Sequence, residues 1–276
     1  MGDLRGRRSR PDGTIGATVS GVPSAATEVA SVVAALLAHG AVLAAQPPAN
    51  AAPDPEADAF LRSDPFAFLV AVVLCQGITA ERAWSSPWLL RQRLGHLDPA
   101  RMVADPEAVE AAIAQPPCIH RYVVNTPRWV VSAAQQVLDA YGGDAAAIWD
   151  DEPTAAELRR RLQAFDGIGQ KKAAMAAEIL ERDYGVPLRE VTGSDVAYDV
   201  HVRRVFLRAG LADADDLTHI VEQARVAHPE RPGALDLPAW DVGRQWCRPR
   251  DPDCARCPLD GACPKLIAAA ADVRAT

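Results

Sequence analysis

The chain has 276 residues, and 49% of them are hydrophobic, which is enough for a sizeable core in one large domain or two modest ones. A formal net charge of −7 argues against a protein that coats nucleic acid without specificity. It does not exclude a local basic face, because screening limits the reach of a charge to about 10 Å. Alanine is abundant and aromatic residues are few, a composition that favours an all-α fold.

The first 23 residues are rich in glycine, arginine and serine, and we expect a disordered basic tail. No continuous apolar region follows its arginines directly, so the pattern is not that of a signal peptide. Residues 24–59 are predicted to hold an apolar helix from Ala25 to Gln46 and then a proline-rich linker over 47–58. Because the helix is mostly alanine and contains Glu28, we expect a core helix rather than a membrane span.

Helical periodicity continues along the rest of the chain, and neither strand-like alternation nor an internal repeat is evident. One helix, from Ser63-Asp64-Pro65 to Leu74, is apolar on every side and is predicted to lie at the centre of its domain. Further helices are predicted from near Thr79, over Pro106–Ala114, over 122–141, over Ala155–Phe165, and from Gln170 to about Tyr184.

Four of the six cysteines lie within seventeen residues near the end of the chain, with the spacing C-x6-C-x2-C-x5-C. They are Cys247, Cys254, Cys257 and Cys263. Thiolate ligands select soft metal centres such as zinc, cuprous copper or iron–sulfur clusters. A structural zinc site usually has two close pairs of ligands, whereas only Cys254 and Cys257 form such a pair here. Nothing resembles a secreted disulfide framework, so we expect a reducing cytoplasm.

Two of the predicted helices are joined by the short turn Gly167-Ile168-Gly169. Glycines permit positive φ and let the backbone approach a ligand closely. The first amides of the following helix are suited to bind a phosphate oxygen. Taken alone, the same pattern is also that of an ordinary connection between two helices.

The cysteine spacing resembles the cluster loop of the endonuclease III family of DNA glycosylases. The segment from Leu162 to Ala173 resembles the helix-hairpin-helix of the same superfamily. Lys171 stands two positions after the second glycine, where bifunctional members carry their catalytic lysine. Residues 198–205 resemble the aspartate motif of the family, in which Asp199 takes the place of the catalytic aspartate. The motifs occur in family order, and the resemblance covers about residues 63–264.

The resemblance implies a two-lobed, all-α helix-hairpin-helix glycosylase fold with DNA lying across the cleft between the lobes. One lobe would be a helical barrel built from residues 60–187. The other would join the N-terminal helix to residues 188–276 and hold one four-iron, four-sulfur (4Fe-4S) cluster on the four cysteines.

The implied activity is base-excision repair by a monomer in the nucleoid, away from membranes. The enzyme would flip a damaged or mismatched base out of double-stranded DNA and remove it. Lys171 would then form a Schiff base and nick the abasic (AP) site, which is an AP lyase activity.

Several residues are expected to contact DNA. Gln76 lies in a segment that approximates the one from which relatives insert a glutamine into the emptied base stack. Gln76 or one of its neighbours is the candidate for that role. The other candidates are Gly167, Gly169, Lys172, Arg248 and Arg250. Residues 189–197 look like an insertion relative to better-known members, and they offer a second acid, Asp195.

Two other functions stay open at this stage. A non-catalytic iron–sulfur protein that binds DNA or senses redox state would need neither Lys171 nor Asp199. A monofunctional glycosylase would remove a base without nicking the strand. Oxidised pyrimidines are the substrates that the resemblance suggests, with uracil, mismatched thymine and alkylated bases also open.

Overall fold

The computed structural model describes residues 25–47 and 52–267. The predicted basic tail lies outside the described residues. Within those ranges all regular elements are helices, apart from one isolated bridge between Thr154 and Glu190. The all-α prediction is therefore confirmed.

In chain order the described α-helices are α1 Ala25–Ala44, α2 Pro55–Ser63, α3 Pro65–Leu74, α4 Ala80–Leu94, α5 Pro99–Ala104, α6 Pro106–Ala114, α7 Asn125–Tyr141, α8 Ala155–Gln163, α9 Gln170–Tyr184, α10 Val200–Arg208, α11 Leu217–Ala227 and α12 Asp236–Gln245. Short 3-10 helices lie at Ala145–Ile148, Pro232–Leu235 and Cys254–Arg256.

Four helices begin with the same local device, an aspartate followed by a proline. These aspartates are Asp54, Asp64, Asp98 and Asp105. Each carboxylate accepts hydrogen bonds from the first turn, while the proline occupies the position where a missing N–H costs nothing. Because α2 begins at Pro55, the prediction of a linker over 47–58 was wrong for its last four residues. The short α5 was not predicted, because Pro99 begins a helix where it could equally end one.

α1 contributes one buried face. Val32, Val33 and Leu36 are buried in a cluster with side chains of α10, α11 and α12, while Val42 is exposed. A hydrogen bond of 2.8 Å joins His39 Nε2 to the carboxylate of Asp241 on α12. Among the described helices, this one is long and apolar enough to cross a membrane by length and composition alone. The packing of its buried face on α12 supports the prediction of a core helix.

Two clusters of buried apolar side chains form the core. The first is centred on α3, whose residues from Phe66 to Leu74 are all buried, and it takes in helices α2 to α9. The second combines α1 with α10, α11, α12 and Leu259 of the cysteine segment. The fold therefore has two lobes, as expected. The predicted boundaries after residues 59 and 187 stay a prediction.

The second acid of the apparent insertion is buried and held by ion pairs. Asp195 is 2% exposed and forms ion pairs with Arg159 of α8 and Arg225 of α11. Arg159 also donates two hydrogen bonds to the carbonyl of Gly193. Asp195 therefore ties one lobe to the other, and its carboxylate is already used by two guanidinium groups.

The contact between α10 and α12 depends on a glycine. A Cβ atom added at Gly243 would lie 2.7 Å from the carbonyl oxygen of His201, a distance that real Cβ atoms do not adopt. We predict that Gly243→Ala lowers the free energy of unfolding by about 1–3 kcal/mol, as overpacking does in other cores. Chemical denaturation is the measurement. Gly261→Ala is the control, because nothing lies within 4 Å of that position; equal stability of the two variants would contradict the close contact.

Candidate active site

A cleft with a volume of about 710 Å³ lies where the two lobes meet. The first lobe lines it with the turn after α3, the start of α4, the glycine turn and α9 from Lys171 to Arg182. The second lobe lines it with the start of α10 and with α12 from Asp236 to Arg244. Its volume is in the range of pockets that bind small molecules, and both charged and apolar side chains line it.

The glycine turn before α9 has the geometry of a hairpin. Gly167 has a φ of +79°, and an added Cβ would lie 2.9 Å from the ring of Trp129, so both the backbone and the space require glycine. Gly169 is exposed at the N-cap of α9 and has no side chain to accept from the first amides of that helix. These amides are therefore placed to bind an external acceptor such as a phosphate oxygen.

The two residues predicted to carry the chemistry are brought together in the cleft. Lys171 lies in the first turn of α9, and its Nζ is 2.5 Å from Oδ2 of Asp199. The lysine side chain is 52% exposed, whereas that of the aspartate is 6% exposed. An amine open to the cleft is thus paired with a carboxylate held in the protein.

Asp199 owes its position to α10. As the N-cap of that helix it accepts a hydrogen bond of 2.8 Å from the backbone N–H of His201. Burial alone would raise the pKa of Asp199, but the Lys171 ammonium and the hydrogen bonds from Lys171 and His201 outweigh it and hold the pKa below its ordinary value. Asp199 is therefore ionised at neutral pH.

Lys172 lines the cleft but is buried rather than solvated, and its predicted contact with DNA stays a prediction. It is 6% exposed, its Nζ donates a hydrogen bond of 2.7 Å to the carbonyl of Val73, and the ammonium lies 5.8 Å from the ring centre of Trp129. Burial lowers the pKa of Lys172 to about 8. Its bond to Val73 ties the end of α3 to the start of α9.

Gln76 lies in the turn after α3, where it is exposed and lines the cleft. A buried histidine that the sequence analysis did not identify holds this turn. His120 Nε2 lies 2.8 Å from the carbonyl of Gln76, and its Nδ1 accepts a 3.0 Å hydrogen bond from the backbone N–H of Tyr122. The local pattern gives no signal for this role, because Gln76 lies 44 residues away along the chain.

The four clustered cysteines line one apolar cavity in the second lobe, together with Val205 and Leu259. Backbone N–H groups point at two of the sulfurs, from Leu259 to Cys257 at 3.4 Å and from Lys265 to Cys263 at 3.3 Å. The guanidinium of Arg208 lies 3.7 Å from the sulfur of Cys247. Among the described residues, no group of three or more histidine, cysteine, aspartate or glutamate side chains is arranged to hold a metal ion.

Comparison with solved structures identifies the fold. A trapped complex of endonuclease III covalently bound to DNA has a TM-score of 0.62 and 21% identity, with 86% of this chain and 96% of that one covered. A thermostable thymine-DNA glycosylase has a TM-score of 0.59 and 16% identity, with the same coverage of both chains. The fold is that of the helix-hairpin-helix DNA glycosylases.

Sequence comparison gives a shorter match. Adenine DNA glycosylase from Homo sapiens is 28% identical over 142 residues, which are 49% of this chain and 22% of that protein. The chain thus spans about a fifth of the length of this curated relative. No protein-family model matches the chain.

Within this fold, the arginines of α10 and of the cysteine segment differ in exposure. Arg204 is fully buried and donates to the carbonyls of Val200, Gly243 and Cys247. Arg248 and Arg250 are exposed in the cysteine segment, where Arg248 donates to the carbonyl of Asp251. The DNA contacts proposed for these two exposed arginines, for Gln76 and for the hairpin glycines stay predictions.

His120 should make stability depend on pH. Burial lowers the pKa of His120, so its contribution is present above the ordinary pKa of 6.5 and is lost as the pH falls through the folded-state value. We predict that His120→Ala costs about 1–3 kcal/mol of unfolding free energy at pH 7, because its hydrogen-bonding partners lose their bonds. The cost should shrink at pH 5. His228→Ala is the control, and a cost for His120→Ala that is the same at both pH values would contradict this role.

Proposed function

We propose that this protein is a base-excision DNA glycosylase with an associated AP lyase activity. The observation that carries the proposal is the Lys171–Asp199 pair, which lies 2.5 Å apart at the hairpin and inside a cleft between the lobes. The glycosylase fold supports the proposal, as does the partial match to a curated glycosylase. A protein that only binds DNA needs neither of these two side chains.

The first part of the reaction is removal of the base. The bond from the sugar C1′ to the base lies inside the duplex, so the nucleotide must be flipped into the cleft, at a cost of a few kcal/mol of unstacking. As this bond breaks, positive charge develops on the sugar. Asp199 is ionised and largely shielded from water, and its carboxylate can stabilise that charge.

The second part is the lyase step, which distinguishes the proposal from a monofunctional glycosylase. The neutral amine of Lys171 attacks C1′ of the abasic sugar, the sugar ring opens and the C1′ oxygen leaves as water, which gives a Schiff base; β-elimination then breaks the bond to the 3′ phosphate and nicks the strand. The proton of Lys171 can pass to Asp199, the carboxylate within hydrogen-bond distance. The exposure of Lys171 to the cleft supports its role as the nucleophile, in contrast to its buried neighbour Lys172.

The DNA footprint follows from the exposed groups around the cleft. The amides after Gly167 and Gly169 would bind a phosphate of the distorted strand, and Gln76 would enter the space left by the flipped base. Arg248 and Arg250 would bind phosphates from the cysteine segment. We infer that the partner is double-stranded DNA with a damaged or mismatched base, bound by a monomer in the nucleoid.

The donor set of the cysteine cavity fits a 4Fe-4S cluster. Cys247, Cys254, Cys257 and Cys263 would be its ligands, and the N–H groups directed at the sulfurs are of the kind that tune such clusters. The bound cluster would supply a cross-link that holds the segment of Arg248 and Arg250 in place.

The lyase proposal is tested by borohydride trapping on DNA with a preformed abasic site. Of the three lysines in the chain, Lys171 is the proposed nucleophile, so Lys171→Gln should abolish the covalent adduct. Lys265→Gln, at an exposed site in the cysteine segment, should retain it. Asp199→Asn keeps a good N-cap for α10 but removes the charge. It should slow base release by about 10²–10⁴-fold and affect trapping less.

The outcomes separate the rival functions. A panel of duplexes, each with one damaged or mismatched base, is assayed with and without alkaline treatment. If the base is released but the strand breaks only after alkaline treatment, and no adduct is trapped, the protein is a monofunctional glycosylase. Tight DNA binding with neither base release nor trapping would favour the non-catalytic iron–sulfur protein.

The cluster proposal is tested by metal analysis after anaerobic purification. We predict about four iron and four sulfide ions per chain, with a brown colour from iron–thiolate absorption. Cys254→Ser should lose most of the iron, whereas Cys118→Ser should retain it because Cys118 is outside the cavity. Stoichiometric zinc without iron would overturn the assignment.

A further inference from the structure

Besides Asp199 and the ion-paired Glu178, the cleft contains a further buried carboxyl group that has no part in the proposed steps. Asp236 is the first residue of α12, it is 8% exposed, and it lines the same cleft as Lys171 and Asp199. Its Oδ1 accepts a hydrogen bond of 2.7 Å from the backbone N–H of Ala197. Among the described residues this is the one hydrogen bond of the carboxyl, so its other oxygen has no partner.

The charges around Asp236 decide its protonation state. Burial, the largest cause, acts with the neighbouring carboxyl groups of Glu178 on α9 and Asp199 on α10 to raise the pKa of Asp236 to about 7, against the lowering by the Ala197 N–H and the guanidinium of Arg182. Arg231, the other nearby cation, forms ion pairs with Glu178 and Glu181. Of the buried carboxyl groups that line the cleft, Asp199 stays ionised, whereas burial raises the pKa of both Asp236 and Glu178, and Glu178 has Arg231 as an ion-pair partner.

Resting on the proposed base-excision activity, we propose that Asp236 is the acid that protonates the departing base. The flipped base presents a carbonyl oxygen or an unprotonated ring nitrogen to the free side of this carboxyl. As the C1′–N bond breaks, its electron pair moves onto the base and the proton of Asp236 is transferred to the acceptor atom. The new bond to C1′ comes from water or from the Lys171 amine, and Asp236 regains a proton from solvent.

This role selects a class of substrate. A neutral base leaves as an anion unless it is protonated, and a buried acid therefore assists its departure. A base that already carries a positive charge, such as 7-methylguanine, leaves as a neutral molecule and gains little from an acid. The structure therefore favours neutral bases with an acceptor atom over cationic alkylated bases.

The test is the pH dependence of single-turnover base release from duplexes that carry uracil, mismatched thymine or thymine glycol. For the best of these, the wild-type rate should fall by about tenfold per pH unit above pH 7, because the acid form of Asp236 is lost. Asp236→Asn should be slower by about 10²-fold at pH 6.5 and should lack this alkaline fall. Asp241→Asn, on the same helix but outside the cleft, should retain both the rate and the fall.

Two further measurements keep the result specific to the acid role. Trapping on a preformed abasic site should be within about twofold of wild type in Asp236→Asn, because no base departs in that reaction. Lys172→Met should retain the alkaline fall, although the pKa of Lys172 is also near neutral, at about 8.

The outcomes that overturn the proposal are distinct from failure of the proposed function. An unchanged alkaline fall in Asp236→Asn, or its disappearance in Lys172→Met instead, would overturn the acid role while base excision stands. Loss of trapping together with base release in Asp236→Asn would show that Asp236 maintains the fold, which also overturns it. A wild-type protein that neither releases a base nor traps abasic DNA would overturn the base-excision activity itself, and the acid role with it.

Discussion

The site depends on keeping a carboxylate out of water at the junction of two hydrophobic cores. A buried charge is costly unless it is paired and hydrogen-bonded, and Asp199 obtains its partners from two different lobes. The backbone N–H of His201 comes from its own helix, and the ammonium of Lys171 comes from the hairpin helix of the other lobe. The pair therefore forms only when both cores are folded and correctly opposed.

Other buried charges reinforce that opposition. Asp195 is bonded by one guanidinium from each lobe, and Arg231 reaches across to Glu178 and Glu181 on α9. Such pairs contribute little net stability, but removing one partner leaves an uncompensated charge. They therefore act chiefly to specify how the lobes are placed, and that placement sets the geometry of the cleft.

Local signals explain why much of the fold could be predicted. The apolar run of α3, the glycine after α7 and the turn before α9 are each encoded within a few residues, and the structure has those helices nearly where they were expected. The failure at Pro55 is also local, because a proline that follows a capping aspartate begins a helix as readily as another proline ends one.

The side chains whose surroundings were not predicted depend on partners far along the chain. Lys172 looks like a solvated lysine until α9 packs beside the end of α3, when its ammonium meets the carbonyl of a residue 99 positions earlier. His120 is equally unremarkable in sequence and yet supports the turn of Gln76. The same reasoning limits what clustered arginines reveal in an acidic chain, because Arg159 is paired with the buried Asp195 and Arg161 with the exposed Asp151.

The two carboxyl groups of the cleft differ for a physical reason that no short motif contains. Both are buried, and burial alone would make both neutral. Asp199 has a lysine ammonium against it and is ionised, whereas Asp236 has a single backbone N–H and neighbouring acids, so it retains its proton more readily. A pair of acids with opposite protonation states is what cleavage of a glycosidic bond requires, since one group must stabilise the cationic sugar while another assists the leaving group. The lysine on α9 and the N–H of His201 therefore keep Asp199 ionised, while Asp236, without a cation in contact, has a raised pKa.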